Sequence, residues 1–228
     1  MFGLELIAAG MLYLTPTPAF AVVECKAKTA PKINVLPTKS HVKYDFTKTK
    51  RELNEVDVNT ISPYGPQHKT NVSGLMSGAI GIKHQISFIH ESYEQVDQAC
   101  LYLKEINVKI NIDPTIFIAK EYPQGSCMHT AVLTHERKHV VEDQLVVNRY
   151  ANIIGRALVE AVNVKGSTYG PFKIDQLKQQ QQQAQDSLHN IVKRLNLQMN
   201  EERQRRQQAI DTLEEYQSIG ARCKNHPK

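Results

Sequence analysis

Apolar and polar residues alternate along much of the first half of the chain, with the period of a β-strand. Apolar side chains occupy every second position of residues 80–88, apart from His84, and of residues 106–112. A period of two is typical of a strand that buries one face and exposes the other. The pattern therefore predicts half-buried antiparallel strands in a mostly β region that spans residues 22–127.

The second half of the chain has a helical pattern instead. Residues 128–164 contain no proline and a single glycine, Gly155, and a connector rich in glycine and proline follows at 165–171. From about residue 173 to 219, apolar positions recur at alternating spacings of four and three, as in a helix that packs on another. Two long helices and a short connector predict an antiparallel helical hairpin over residues 128–220, with a tail at 221–228.

Together these patterns predict an α+β fold. A small antiparallel β-sheet is followed by a long antiparallel helical hairpin, and the two form one domain. With 228 residues, of which 41% are hydrophobic, the chain can bury a core, and this composition excludes wholesale disorder.

The N-terminal residues 1–21 have the pattern of a secretory signal peptide. An apolar stretch from Leu6 to Leu14 precedes two prolines and the small-x-small triplet at residues 19–21. A buried N-terminal helix is the alternative, but the prolines disfavour it. We therefore predict a secreted or periplasmic protein with no stable membrane span after cleavage.

Four cysteines lie outside that segment: Cys25, Cys100, Cys127 and Cys223. An even number in an oxidising compartment indicates two disulfides. If the strand-like runs on either side of Asp113-Pro114 form an antiparallel hairpin, Cys100 lies opposite Cys127. The predicted pairs are therefore Cys100–Cys127 and, by exclusion, Cys25–Cys223.

The first predicted helix contains the motif H-E-x-x-H at residues 135–139. Histidines four residues apart lie about 40° apart around a helix, so His135 and His139 can share one Zn²⁺. Glu136 points elsewhere and can accept a proton from a water that the metal activates. Asp143 is predicted to support the imidazole of His139 without binding the metal. The alternative is a pair of ordinary surface histidines.

A catalytic zinc needs a third protein ligand, for which Glu202 is the predicted residue. A turn near residues 168–169 places Glu202 opposite His135, at a position of the packing seam that should be apolar. A buried charge there requires a partner. That partner is either the metal or Arg206, and the ion pair Glu202–Arg206 is an equally good reading. Glu201 is the reserve candidate.

The formal net charge of +5 does not indicate a nucleic-acid-binding protein. The 28 Lys and Arg residues are interleaved with 23 Asp and Glu residues. The arginine cluster at 203, 205 and 206 has few aromatic neighbours, which favours a solvated helix face. We therefore predict no nucleic-acid partner.

Four segments resemble a family of exported bacterial proteins of unknown function that are described as predicted zinc-dependent proteases. They are L-T-H-E-R-K-H-V at 133–140 with Asp143, V-N-R-Y at 147–150, the end of the strand pair at 121–127, and D-T-L-E-E-Y at 211–216. The resemblance implies that His135 and His139 bind zinc, that Glu136 is catalytic and that Asp143 is accessory. It implies nothing about the third ligand.

The leading hypothesis is thus a zinc-dependent metallopeptidase that acts on a peptide or protein substrate. One alternative is a non-catalytic exported interaction protein, which would use the helical hairpin as a binding surface. Another is a structural zinc site without activity. The sequence leaves the oligomeric state open.

Overall fold

The computed structural model describes residues 23–26, 29–56 and 72–224. The predicted signal peptide at residues 1–21 lies outside the described residues. Within these ranges the strands are β1 (Lys32–Lys39), β2 (Lys43–Asp45), β3 (Gly74–Ser77), β4 (Ile80–Tyr93), β5 (Gln98–Ile112), β6 (Thr115–Ile118) and β7 (Thr168–Phe172). The α-helices are α1 (Lys50–Leu53), α2 (Cys127–Lys165), α3 (Leu177–Ile210) and α4 (Leu213–Arg222).

The strands form two sheets, and the fold class is α+β as predicted. The long sheet has the order β1-β5-β4, with β7 also paired to β5, and the short sheet has the order β2-β6-β3. Both sheets are mixed, because β1 is parallel to β5 and β2 is parallel to β6. The prediction of a single antiparallel sheet is therefore wrong. β1 and β5, like β2 and β6, are far apart in sequence and are not joined by a tight turn. No turn therefore imposes an antiparallel direction on these pairs.

The disulfides are Cys25–Cys100 and Cys127–Cys223, so both predicted pairs are wrong. The prediction required a hairpin at residues 113–114, but β5 and β6 belong to different sheets. The antiparallel hairpin partner of β5 is β4, along almost its whole length. Cys100 and Cys127 therefore never lie opposite each other.

The long helix α2 confirms the predicted first helix. It begins after Ser126, whose hydroxyl accepts a hydrogen bond from the His129 N–H at 3.2 Å, and it ends at Gly166, where φ is 79°. A serine N-cap and a glycine that adopts positive φ are the usual signals for the two ends of a helix.

The predicted second helix is divided in two. α3 ends at Ile210, and α4 begins after Thr212, whose hydroxyl accepts a hydrogen bond from the Glu215 N–H at 3.2 Å. The connection from α2 to α3 contains β7 and a 3₁₀ turn at Ile174–Gln176. α3 packs on α2, but the helices do not form the simple hairpin that the sequence predicted.

The two sheets pack on different parts of α2. Its C-terminal half and α3 cover the long sheet around an apolar core that includes Ile106, Ile110, Ile154, Leu158, Val192 and Met199. Its N-terminal half packs on the short sheet through a smaller cluster that includes Ile116, Ile118, Val132 and Val140. Among the described residues, no helix is both long and apolar enough to cross a membrane.

Candidate metal site

The N-terminal half of α2 buries an unusual number of polar side chains. His129, His135, Glu136, His139 and Asp143 are each 6% exposed or less. Their spacing places them on the side of the helix that the short sheet, α3 and α4 cover. Because a buried polar group without partners is costly, each one should have a defined contact.

His135, His139 and Asp211 form a buried group that could hold a metal ion. Nε2 of His135 lies 3.1 Å from Oδ1 of Asp211, and Nε2 of His139 lies 3.2 Å from the same oxygen. The two Nε2 atoms are 3.3 Å apart. Three donor atoms therefore converge on one point, with the H-E-x-x-H histidines brought together as predicted.

Gln207 fixes which nitrogen of His139 faces that point. The Gln207 amide N–H groups donate to the His139 carbonyl oxygen at 3.0 Å and to Asp143 Oδ1 at 2.6 Å, so its Oε1 faces His139 Nδ1. Nδ1 must then carry a proton. In the neutral imidazole the bare Nε2 lone pair faces the Asp211 carboxylate, which is repulsive unless a cation lies between them.

The pKa of His139 is consistent with that need for positive charge. Burial lowers this pKa, but the hydrogen bond and the negative charge of Asp211 more than offset burial and raise it above its ordinary value. In the metal-free protein, Asp211 therefore favours a proton on His139. A metal ion would replace that proton.

α4 supplies contacts to His135. Oε1 of Glu215 lies 3.5 Å from Nδ1 of His135 and 2.5 Å from the ammonium group of Lys138. The hydrogen bond from Lys138 lowers the pKa of Glu215. The Tyr216 ring packs edge-on against His135, and its hydroxyl donates to Asp211 Oδ1 at 3.3 Å.

The sequence predicted that Asp143 supports the imidazole of His139. In the structure this support passes through Gln207, whose amide donates to Asp143 and faces His139 Nδ1. The Asp143 side chain is 0% exposed and accepts hydrogen bonds from Arg203 Nε at 2.7 Å and Nη2 at 2.9 Å. The same guanidinium donates to the Gly78 carbonyl oxygen. Asp143 thus anchors both Arg203 and the amide that orients His139.

Glu136 lies beside the group of three and does not belong to it. Burial raises the pKa of its carboxyl from 4.5 to about 7, although both histidines and a backbone hydrogen bond from Met76 oppose the rise. The carboxylate sits close to the short sheet: a Cβ atom on Gly74 would lie 3.3 Å from Glu136 Oε1. Glycine at this position leaves room for the glutamate.

The structure places the predicted third ligand, Glu202, outside the group. Its carboxylate accepts from Arg206 Nε at 2.8 Å and lies 3.4 Å from Arg149. The ion-pair reading of Glu202 is therefore correct. Because β7 and the 3₁₀ turn lengthen the connection, His135 lies opposite Asp211, nine residues further along.

A cleft of about 470 Å³ opens over these residues. One wall is β3, the edge strand of the short sheet, and the other is α3. His135, Glu136 and His139 form its floor, and Glu201, the reserve candidate, lines its α3 wall together with Arg203.

Sequence reasoning missed Gln207, Asp211, Glu215 and Tyr216. Asp211, Glu215 and Tyr216 lie in the segment D-T-L-E-E-Y that carried part of the resemblance, and T-x-x-E at residues 212–215 is also the pattern that starts a helix. It would have predicted a break before Thr212 and hence an irregular position for Asp211. Nothing in the local sequence singles out Gln207.

Comparisons of the chain with protein-family models, with curated proteins and with solved structures find no match. The site must therefore be interpreted from its own geometry.

Proposed function

We propose that the protein is a zinc-dependent metallopeptidase. The observation that carries the proposal is the convergence of His135 Nε2, His139 Nε2 and Asp211 Oδ1 on one point, with Glu136 beside it at the floor of a cleft. Two histidines, one carboxylate and an adjacent glutamate are the set of groups that metal-assisted hydrolysis requires.

The spacing of the donor atoms supports zinc as the metal. Zinc ligands lie at about 2.0–2.1 Å, which in a tetrahedron separates neighbouring donors by about 3.3 Å. The three observed separations are 3.1, 3.2 and 3.3 Å. Three protein ligands leave a fourth position open, as in catalytic rather than structural zinc sites.

Glu136 is the proposed general base. When bound, zinc would polarise a peptide carbonyl and lower the pKa of a nearby water. A carboxylate whose pKa is about 7 is suited to take a proton from the attacking water and return it to the leaving amine. Glu136 is only 4% exposed and reaches solvent at the floor of the cleft.

The shape of the cleft supports a peptide as the substrate. Among the described strands, β3 pairs with β6 alone, and residues of β3 line the cleft. An extended peptide could add to that edge by backbone hydrogen bonds, which would carry a peptide bond past Glu136.

Export remains part of the proposal. Two disulfides fit a secreted or periplasmic protein, because such bonds persist in oxidising compartments. The signal-peptide pattern at residues 1–21 supports the same location.

The test measures metal content and peptide hydrolysis separately. Purified protein should bind one equivalent of zinc, and Glu136→Gln should retain the metal while hydrolysis of a mixed peptide library falls at least about a hundredfold. Glu202→Gln is the matched control. It also replaces a carboxylate near the site, and it should alter neither zinc binding nor peptide hydrolysis. Zinc binding with no hydrolysis in any variant would instead identify a structural site.

The third ligand can be tested by the same binding measurement. Asp211→Asn should weaken zinc binding by at least about a hundredfold, because the loss of a ligand exceeds the 10–100-fold effect of a supporting residue. Equal loss in Glu202→Gln would contradict this assignment.

A further inference from the structure

α4 is an arm that reaches the metal site from the C-terminal end of the chain. None of its residues, Leu213–Arg222, is fully buried, and Ile219 adds only a partly buried side chain to the apolar cluster at the short sheet. Little apolar area therefore holds α4 in place. Packing alone would give it a weak attachment.

This weakly packed arm nevertheless supplies several contacts of the site. Glu215 and Tyr216 contact His135, and Asp211 immediately precedes the arm. Oε1 of Glu215 lies 3.5 Å from Nδ1 of His135, a buried atom that has no hydrogen-bond partner among the described residues. A slightly closer approach would let this carboxylate accept the Nδ1 proton, which would direct Nε2 and its lone pair towards the metal position. Displacement of α4 would remove that orientation.

The covalent attachment of α4 is the Cys127–Cys223 disulfide. Cys127 is the first residue of α2, two turns before His135, and Cys223 directly follows α4. The bond therefore fixes the far end of the arm to the helix that carries both histidines. Its near end is fixed by the ion pair between Lys138 and Glu215.

We propose that Glu215 positions His135 for metal binding and that the Cys127–Cys223 disulfide, by holding α4, sets the metal affinity of the site. The inference rests on the proposed function, since it concerns the same metal. It adds that a disulfide outside the set of metal ligands controls the metal affinity.

The second disulfide provides a contrast within the same chain. Cys25–Cys100 joins the segment before β1 to the long sheet, and Cys100 is 0% exposed. Cys127 and Cys223 are both half-buried, as is Cys25, so the two disulfides differ in burial at Cys100 alone. A dithiol reductant would open the Cys127–Cys223 bond by giving up two electrons and two protons: the cysteines become thiols, and the reductant closes to its own disulfide.

The test is zinc affinity, measured by competition with a chromophoric chelator on the full chain. Cys127→Ser/Cys223→Ser should bind zinc at least about tenfold more weakly than the wild type, whereas Cys25→Ser/Cys100→Ser should change affinity less than about threefold. Circular dichroism checks that each variant is folded. A folded Cys127→Ser/Cys223→Ser protein with wild-type affinity overturns the inference.

A point-mutant pair makes the inference testable even if a cysteine variant fails to fold. Glu215→Gln should weaken zinc binding about tenfold and change the visible spectrum of the cobalt-substituted protein. Glu214→Gln, its exposed neighbour on α4, should do neither. Equal behaviour of the two variants overturns the role of Glu215, whereas a wild-type protein that binds no zinc overturns the proposed function itself.

Discussion

The two halves of α2 bury different chemistry. The polar half, residues 127–143, buries three histidines, a glutamate and an aspartate. The apolar half, residues 144–165, buries Val146, Val147, Tyr150, Ala151, Ile154 and Leu158. One continuous helix thus connects the candidate metal site to the main core.

The difference shows where stability is gained and where it is given up. Burial of apolar side chains stabilises the fold, whereas burial of charged groups costs free energy unless each has a partner. The polar half pairs most of its buried groups with residues of α3 and α4, but it leaves His135 Nδ1 without a hydrogen-bond partner and keeps Glu136 in a position that favours the neutral form. The apolar half gains stability from the core that it shares with α3 and the long sheet.

The largest expected effect is in the polar half. Asp143→Asn should lower the free energy of unfolding by about 3 kcal/mol or more, because it leaves Arg203 without its carboxylate. Urea unfolding measures this change. Asp186→Asn, an exposed residue of α3, is the control and should be nearly neutral. The zinc affinity should also fall, since Gln207 loses its anchor.

A comparable loss of stability in the apolar half should leave the zinc affinity of the site unchanged. Ile154→Ala should lower stability by about 2–5 kcal/mol, because it opens a cavity at a residue that is 0% exposed. The zinc affinity of the folded protein should stay within about twofold of the wild type. Val159→Ala, at a 45% exposed position, should cost little. Weaker zinc binding in Ile154→Ala would show that the two halves are not independent.

Glu136 should make stability depend on pH in the metal-free protein. Its folded pKa of about 7 lies above its ordinary value of 4.5, so the folded state binds the extra proton between these pH values. Wild-type stability should fall, relative to Glu136→Gln, as the pH rises from about 4.5 to about 7. Above pH 7 the difference should level off at no more than about 3 kcal/mol. Urea unfolding of both proteins with a chelator present, at pH 4.5 and pH 8, tests this. An equal difference at both pH values would contradict the raised pKa.

The smallest effect concerns the contact between the polar half and the short sheet. Gly74→Ala should cost about 1–3 kcal/mol, because the new Cβ would crowd Val132 and lie 2.9 Å from the Phe117 carbonyl oxygen. Gly220→Ala in α4 meets nothing within 4 Å and should be neutral or slightly stabilising. Thermal unfolding measures the tightness of this contact: the midpoint should fall in Gly74→Ala and stay unchanged or rise slightly in Gly220→Ala.

The elements that the sequence predicted well are those with a strong local pattern. α2 runs from Cys127 to Lys165 because 39 residues without proline favour a helix whose apolar positions lie on one face. β4 and β5 follow the alternation of isoleucine with polar residues. The relation of His135, Glu136 and His139 also follows from helix geometry alone.

What the tertiary structure alone decided are the contacts between distant segments. The disulfide partners depend on which strands share a sheet, and Asp211 reaches His135 because β7 and the break before Thr212 shift α3 and α4 along α2. A shift of one helical turn moves a facing residue by about 5.4 Å, more than the length of a metal–ligand bond. The sequence by itself therefore determined the relative positions of His135, Glu136 and His139, and the packing of the chain brought Asp211 and α4 to them, completing a group that could hold a metal ion.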